Sequence, residues 1–351
     1  MRRPGPRPVL TALAATVLLA ACSTGPAGGS GVAAEEGDAA TSTAAADAFP
    51  VTIEHAFGET TIEQEPQRVA TVGWSDQDIV VALGEVPAGA TKITWGGNEA
   101  GSTDWWDAAV EALGADPAEV VRYDDTDGIP VDEIAQVAPD LILGTNSGMT
   151  QEDYDALSKI APVVAYPEVA WGTPWRESVE LVGRALGKSE EADAVIADLE
   201  GHIAAAVAEH PELEGTSFAW TWFTPSDLST IGVYTTIDLR PQLMREFGME
   251  DASKVVELSE GGEAFSVNLS AEQADTLDAD VMFFWATDEA EAEAVTSHPL
   301  VSQVPAVENG SYVAVTDMPL MAALSSPTPL TIPVVLEEFL PLAAEAAASA
   351  R

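Results

Sequence analysis

The sequence predicts an α/β protein: two Rossmann-like lobes with mainly parallel sheets, joined by a single long helix. Three observations predict it. From residue 49 to residue 172, short apolar runs rich in β-branched residues alternate with stretches of helical spacing. From 173 to 210 the alternation stops, and a helical pattern runs on with no strand candidate. From 211 to 351 a second alternating series begins. Alternation of strand and helix is the pattern of a parallel sheet covered on both faces, because each crossover helix packs back onto the sheet.

The elements follow in order. "FPVTIEHAFGETTI" reads as two short strands about a Gly turn, and "RVATVGW" as a buried strand. "DQDIVVALG" has helical spacing, with Asp76 as a cap and Gly84 at the end. Strands at "GATKIT", "EVVRY", "PDLILGT" and "PVVAYP" then alternate with helices at "TDWWDAAVEALGA", "PVDEIAQVA" and "QEDYDALSKIA". Pro139 begins its strand, where no ladder donor is needed. The strandless stretch breaks near Gly187, and Ser189 is placed to cap a new helix. A helix from Ser189 to Glu209 is roughly 30 Å long at about 1.5 Å per residue, enough to bridge two lobes. In the second series "TSFAWTWF", "DVMFFWAT" and "SYVAV" are strands, and "DLSTIGVYTT" is a hairpin partner. "LRPQLMREFGM", "SAEQADTLDA", "AEAVTSHPLVSQV" and the closing "TIPVVLEEFLPLAAEAAASA" are helices.

Ahead of the first lobe, Arg2, Arg3 and Arg7 precede the apolar run "VLTALAATVLLAA", which is short for a membrane span. Small residues then lead to Cys22, the one cysteine of the chain. This is the layout of an export signal, and Leu-Ala-Ala-Cys resembles the bacterial lipoprotein box. The resemblance implies cleavage after residue 21 and lipid on the Cys22 thiol, hence an extracytoplasmic protein anchored to the membrane. Residues 22–48 are rich in Gly, Ala, Ser and Thr without a core pattern, as expected of a flexible tether. The expected boundaries are therefore 1–21 signal, 22–48 tether, 49–172 N-terminal lobe, 173–210 helical connector and 211–351 C-terminal lobe.

The formal net charge is −44. So acidic a chain repels nucleic acid and anionic lipid surfaces. It favours neutral or cationic ligands, or it reflects adaptation to a salty or acidic exterior.

Several ordered motifs resemble one family. "FGETTIEQEPQRVAT" is similar to its opening, "VDEIAQVAPDLILGT" and "YDALSKIAPVVAY" to its next two units, and "LSAEQADTLDADVMFF" and "HPLVSQVPAVENGSYVAV" to its second lobe. The similarity runs from about Val51 to the C-terminus. The family is the periplasmic-binding-protein class that serves iron-siderophore and cobalamin ABC importers. It implies a class III substrate-binding protein, with a ligand between the lobes, one connecting helix and little hinge closure. It also implies a monomer that hands a ferric siderophore to a permease with its own ATPase subunits.

Open parallel sheets bind ligands beyond the carboxyl ends of their strands. Trp74, Trp95, Trp171, Trp222 and Trp285 fall near such ends, with Phe223 beside Trp222. Indoles give large, stiff surfaces whose faces attract cations, which suits a bulky chelate. Core packing accounts for each of them equally. Arg240, in "TTIDLRPQL", stands where the family often places a chelate-binding arginine. Arg122 with Tyr123 is a second candidate pair, Asn146 and Ser147 are candidate donors, and Lys92 is a weaker cation. Arg176 and Arg184 are expected in surface ion pairs. Glu133 and Glu272 fall at matching motif positions, one per lobe, where the family docks into arginine pockets of the importer.

Other chemistries are less well served. His55, His202, His210 and His298 are scattered along the chain, so capture of a bare transition metal is not expected. Haem, with Tyr123 or Tyr234 as axial ligand, and cobalamin remain alternatives. Ser75 in "GWSDQ" begins like a nucleophile elbow but lacks its closing Gly. A lipid-anchored hydrolase is the alternative of another class. The acidity of the chain points to a hydroxamate or mixed siderophore, neutral or cationic when loaded.

Overall fold

The structure, a computed structural model, describes residues 48–262 and 264–351. The expected signal, Cys22 and almost all of the tether lie outside the described residues.

A hairpin of β1 (Val51–His55) and β2 (Gly58–Ile62) comes first. Gly58 enters β2 at φ 126°, a backbone angle that glycine adopts without penalty. The N-terminal lobe follows as β3 (Val69–Thr71), α1 (Asp76–Ala82), β4 (Gly89–Thr91), α2 (Asp104–Ala112), β5 (Val121–Tyr123), α3 (Val131–Val137), β6 (Leu141–Gly144), α4 (Gln151–Leu157) and β7 (Val163–Ala165). Its sheet is parallel throughout, in the order β5-β4-β3-β6-β7. Every residue of β3, β4, β6 and β7 is buried, as strands covered on both faces require.

The connector is a helix pair, α5 (Trp175–Leu186) and α6 (Ser189–Ala208). Gly187, at φ 71°, closes α5 in the left-handed conformation that ends many helices. Lys188 is buried at the elbow. Its Nζ donates to the Leu83 carbonyl at the end of α1 (3.0 Å) and pairs with Glu85 (2.6 Å). A cation there satisfies an otherwise free helix-end carbonyl.

The C-terminal lobe contains β8 (Ser217–Thr224), β9 (Asp227–Tyr234), α7 (Leu239–Glu246), β10 (Glu250–Asp251), α8 (Ser253–Ser259), β11 (Ser266–Ser270), β12 (Val281–Trp285), α9 (Glu289–Thr296), α10 (Pro305–Glu308), β13 (Tyr312–Val315), α11 (Met318–Ser325), α12 (Thr331–Glu338) and α13 (Leu340–Ser349). Its sheet runs β11-β9-β8-β12-β13, with β10 also paired to β8. The sheet is mixed: β8, β12 and β13 are parallel, whereas β9 alone is reversed and pairs antiparallel with both β8 and β11.

One apolar cluster joins the two lobes through the connector. It runs from Ile79 and Leu143 through Trp175, Val179 and Leu199 to Phe218, Trp220, Phe283 and Phe339. Arg176 of α5 adds a polar tie, pairing with Glu200 of α6 and with Glu246 of α7, each at 2.5 Å. Close packing of this kind resists relative motion of the parts it joins.

The two-lobed α/β architecture is the one the sequence predicts; several local expectations differ. The cap position of α1 falls on Ser75, with Asp76 the first helical residue, and "AEAVTSHPLVSQV" divides into the end of α9 and a 3-10 turn at Val301–Gln303. The closing helix divides at Phe339, because Pro341 cannot donate in a helix interior and instead stands in the first turn of α13, where no donor is needed. The segment Ala271–Thr276 is a 3-10 helix with a kink at Gln273, not an α-helix. Ser189 is the first residue of α6 rather than its cap, which falls on Lys188. Finally, "MPLMAALS" forms α11, whose buried apolar residues show no amphipathic periodicity to announce it.

Candidate functional site

In the N-terminal sheet, β4 and β5 lie to one side of β3, and β6 and β7 to the other. The connections leaving β3 and β6 therefore diverge and open a crevice beyond their carboxyl ends. Trp74 and Ser75 follow β3 there, and Thr145, Asn146 and Ser147 follow β6. Asp76 pins the two loops together. Its carboxylate accepts from the Thr145 hydroxyl (2.6 Å) and the Thr145 backbone N–H (3.1 Å). Complete burial pushes the Asp76 carboxyl up to about 6, although the Thr145 bonds pull the other way. Asn146 Nδ2 donates to Ser75 Oγ at 3.0 Å.

The C-terminal lobe faces this crevice with Asp238, Leu239 and Arg240 at the start of α7, Phe265 before β11, and Ser325 and Ser326 at the end of α11. With Trp74, Trp95, Asn146 and Trp171 they enclose a cavity of about 350 Å³, within the range of small-molecule sites. Trp74 and Trp95 stack with centroids 6.1 Å apart, and Trp285 of the opposite lobe meets Trp95 edge-on at 6.3 Å. Trp171 and Phe265 are 42% and 48% exposed and form the rim. Trp171 sits at φ 61°, an uncommon angle for a large residue. Its indole lies over Gly148, where a Cβ would come within 2.5 Å of the ring nitrogen.

Among the described residues that line the cavity, Arg240 is the cation. Its Nε and Nη2 donate to Asp238 Oδ1 (2.9 Å) and Oδ2 (2.8 Å), and its Nη1 donates to Ser325 Oγ (3.1 Å). The guanidinium lies 3.7 Å over the Tyr234 ring. Burial works against its charge, but the Asp238 carboxylate more than offsets this and holds the Arg240 pKa above its ordinary value.

The lobes also touch directly behind the cavity. Ser75 Oγ and Ser326 Oγ share a hydrogen bond of 2.8 Å, and Thr328 Oγ1 donates to Asp78 Oδ2 at 2.9 Å. Trp105 Nε1 donates to the same Asp78 oxygen at 3.2 Å. Gly96, at φ 70°, leaves room for α11: a Cβ on it would lie 2.5 Å from Ala322 Cβ and 2.6 Å from the Met318 carbonyl oxygen.

Five of the ten expected ligand residues therefore line one cavity: Trp74, Trp95, Asn146, Trp171 and Arg240. Tyr234 and Trp285 support its walls from behind Arg240 and Trp95. Three fall elsewhere. Trp222 lies across Gly232 of the neighbouring strand, where a Cβ would collide with its ring. Arg122 turns away to donate to Gln77 Oε1 (2.5 Å) over the face of Trp106. Tyr123 is fully buried and donates its hydroxyl to the Thr71 carbonyl, because β5 points it into the core. Of the adjacent indoles, Trp106 is buried and Trp105 half-buried between α1 and α11. Lys92 pairs with Asp124. Ser147 donates to the Gly144 carbonyl within its own loop.

Sequence reasoning missed Asp238, Leu239, Phe265, Ser325 and Ser326. Asp238 was legible as the cap of α7; its ion pair depends on Arg240 folding back over the first turn. The serines depend on α11.

The histidines sit on separate elements. His55 bonds Thr60, while His202 and His210 lie beside Asp198 and Glu212. Among the described residues, no group of three or more His, Cys, Asp or Glu side chains is placed to hold a metal ion.

A larger hollow, about 670 Å³, lies on the C-terminal lobe alone and is lined by Glu289, Glu293, Asp317 and Glu345. It draws on one lobe and has no wall of indoles, so the smaller inter-lobe cavity is the better ligand site. Among the described residues, no helix is long and apolar enough to cross a membrane.

Comparison with known proteins places this geometry in context. A family model described as periplasmic binding protein matches residues 69–318. The crystal structure of PiaA from Streptococcus pneumoniae TIGR4 in complex with ferrichrome is similar with a TM-score of 0.80 and 34% identity, covering 86% of this chain and 100% of that one. The probable siderophore-binding lipoprotein YfiY of Bacillus subtilis (strain 168) is 26% identical over 279 residues, 76% of this chain and 80% of its own. The ferric enterobactin-binding periplasmic protein FepB of Escherichia coli O6:H1 is 25% identical over 288 residues, 76% of this chain and 84% of its own.

Proposed function

The chain belongs to the periplasmic binding protein family, and from that premise we propose that it is the receptor of an ABC importer, capturing a ferric siderophore outside the membrane and delivering it to a permease. The observation that carries the reading is the inter-lobe cavity walled by Trp74, Trp95, Trp171 and Phe265, with Arg240 held at its base. Stiff aromatic faces bind a bulky chelate at low entropy cost, while a fixed guanidinium donates to its oxygens. The similarity to the ferrichrome-bound PiaA supports a hydroxamate or mixed chelate. The protein contributes recognition rather than covalent chemistry, and import energy comes from the ATPase subunits of the permease.

Two further parts belong to the same reading. Lipid on Cys22 anchors the body to the outer face of the cell membrane, with residues 22–48 as tether. Glu133, in the first turn of α3, and Glu272, in the 3-10 segment before β12, are both exposed. They serve as one acidic contact per lobe for arginines of the permease, giving register through opposite charge.

Titration of intrinsic fluorescence tests the reading. Iron chelates absorb near indole emission, so a neutral ferric tris-hydroxamate is expected to quench saturably. Trp74→Ala is expected to weaken binding by about tenfold or more, the loss typical of an aromatic anchor. Absence of saturable quenching by any ferric chelate of a hydroxamate, carboxylate and catecholate panel would overturn it.

A further inference from the structure

We propose that Asp238 sets the charge class of ligand the cleft accepts: by closing Arg240 into an ion pair it offers donors with no net charge, and so selects neutral or cationic ferric chelates over polyanionic ones. The proposal deepens the receptor reading and rests on it.

Among the described residues that line the cavity, Asp238 and Arg240 carry the formal charges. They cancel. Both Asp238 oxygens accept from the guanidinium, in the bidentate geometry that makes such pairs strong. Asp238 is itself buried, at 6% exposure. A guanidinium has five N–H donors. Asp238 takes two and Ser325 one, which leaves one on each terminal nitrogen for a ligand oxygen.

Helix capping alone does not explain the carboxylate. Asp238 Oδ1 accepts from the Arg240 backbone N–H at 3.0 Å, a bond that asparagine would make as well. The second oxygen, spent on Nη2, is what a carboxylate adds. Among the described residues no other cation reaches the cavity, since Lys92 pairs with Asp124 and Arg122 lies against Trp106. A polyanionic chelate would lose water against indole walls without gaining a net countercharge. It would also approach a chain of formal charge −44. Rejection by a withheld charge is a means of specificity distinct from added affinity.

The test uses three iron chelates of different charge: ferrichrome (neutral), ferrioxamine B (cationic) and ferric enterobactin (trianionic). Fluorescence titrations are run on wild type, Asp238→Asn and Arg240→Gln, with thermal unfolding of each. Asparagine keeps the cap and one oxygen for the guanidinium. Asp238→Asn is expected to shift the ferrichrome-to-enterobactin affinity ratio toward enterobactin by about tenfold or more, and to make enterobactin binding more salt-sensitive. Arg240→Gln bares the carboxylate and is expected to shift preference from ferrichrome toward ferrioxamine B. A folded Asp238→Asn with an unchanged ratio overturns the proposal and leaves the receptor reading standing. If that variant does not fold, an unchanged ferrichrome-to-ferrioxamine ratio in Arg240→Gln overturns it instead. A wild type that binds none of the three overturns the receptor reading and this proposal with it.

Discussion

At the scale of single residues, Asp78 is the most loaded side chain behind the cavity. It is completely buried, and one of its oxygens accepts from both Trp105 and Thr328. Burial pushes its carboxyl up from 3.8 to about 7, against the pull of those hydrogen bonds and of Arg122. The folded state thus keeps a proton that the unfolded chain loses near pH 3.8. The stability this gives is full below that pH and drains away as pH rises through about 7. Asp78→Asn removes the proton exchange while keeping an oxygen that accepts. The difference in thermal midpoint, variant minus wild type, is therefore expected to grow from pH 5 to pH 8. A difference that stays flat across that range would show that Asp78 does not titrate as its burial requires. Such a group was partly legible in sequence: "SDQD" reads as the start of a helix. That both aspartates would be buried was not, because the residues covering them, Thr145, Trp105 and Thr328, come from three distant segments.

At the scale of elements, the loop after β4 meets α11 with no space to spare. Gly96 has positive φ, and a side chain there would run into the Met318 carbonyl, which is backbone and cannot swing aside. Gly96→Ala is expected to cost about 1–3 kcal/mol of stability, the range of overpacked contacts, measured by urea unfolding. A midpoint equal to wild type would show that the lobes separate easily at this seam. Element by element, the sequence was most readable where one physical signal dominated. The all-buried runs "VAT" and "LILG" could be little other than inner parallel strands. Gly187 announced the elbow of the connector, since few other residues end a helix in that conformation. Where several signals competed, reading failed. "SAEQADTLDA" has helical composition, yet it tightens to a 3-10 turn before β12. "MPLMAALSSP" is apolar all round and carries no face to assign.

At the scale of the whole molecule, the proposed function needs two lobes held at nearly fixed spacing. The Asp78–Thr328 bond crosses directly between the lobes, the apolar cluster spans both through the connector, and the Arg176–Glu246 pair ties the connector to the C-terminal lobe. The wall of the cleft was visible in sequence as indoles recurring after strands, since strand ends locate ligand sites whatever the ligand. Its electrical character was not visible. The formal charge of −44 describes the whole chain, whereas the described residues that line the cavity carry one closed ion pair. Arg122 showed the limit of reading charge from position: it stands one residue from the end of a strand, but β5 lies at the sheet edge, away from the switch between β3 and β6. The most direct measurement of the central claim is an iron anomalous difference map from crystals grown with ferrichrome. The account predicts a single strong iron peak between the lobes, bounded by Trp74, Trp95 and Arg240. Iron on the acidic flank near Glu289 and Glu345, with the inter-lobe cleft empty, would contradict it.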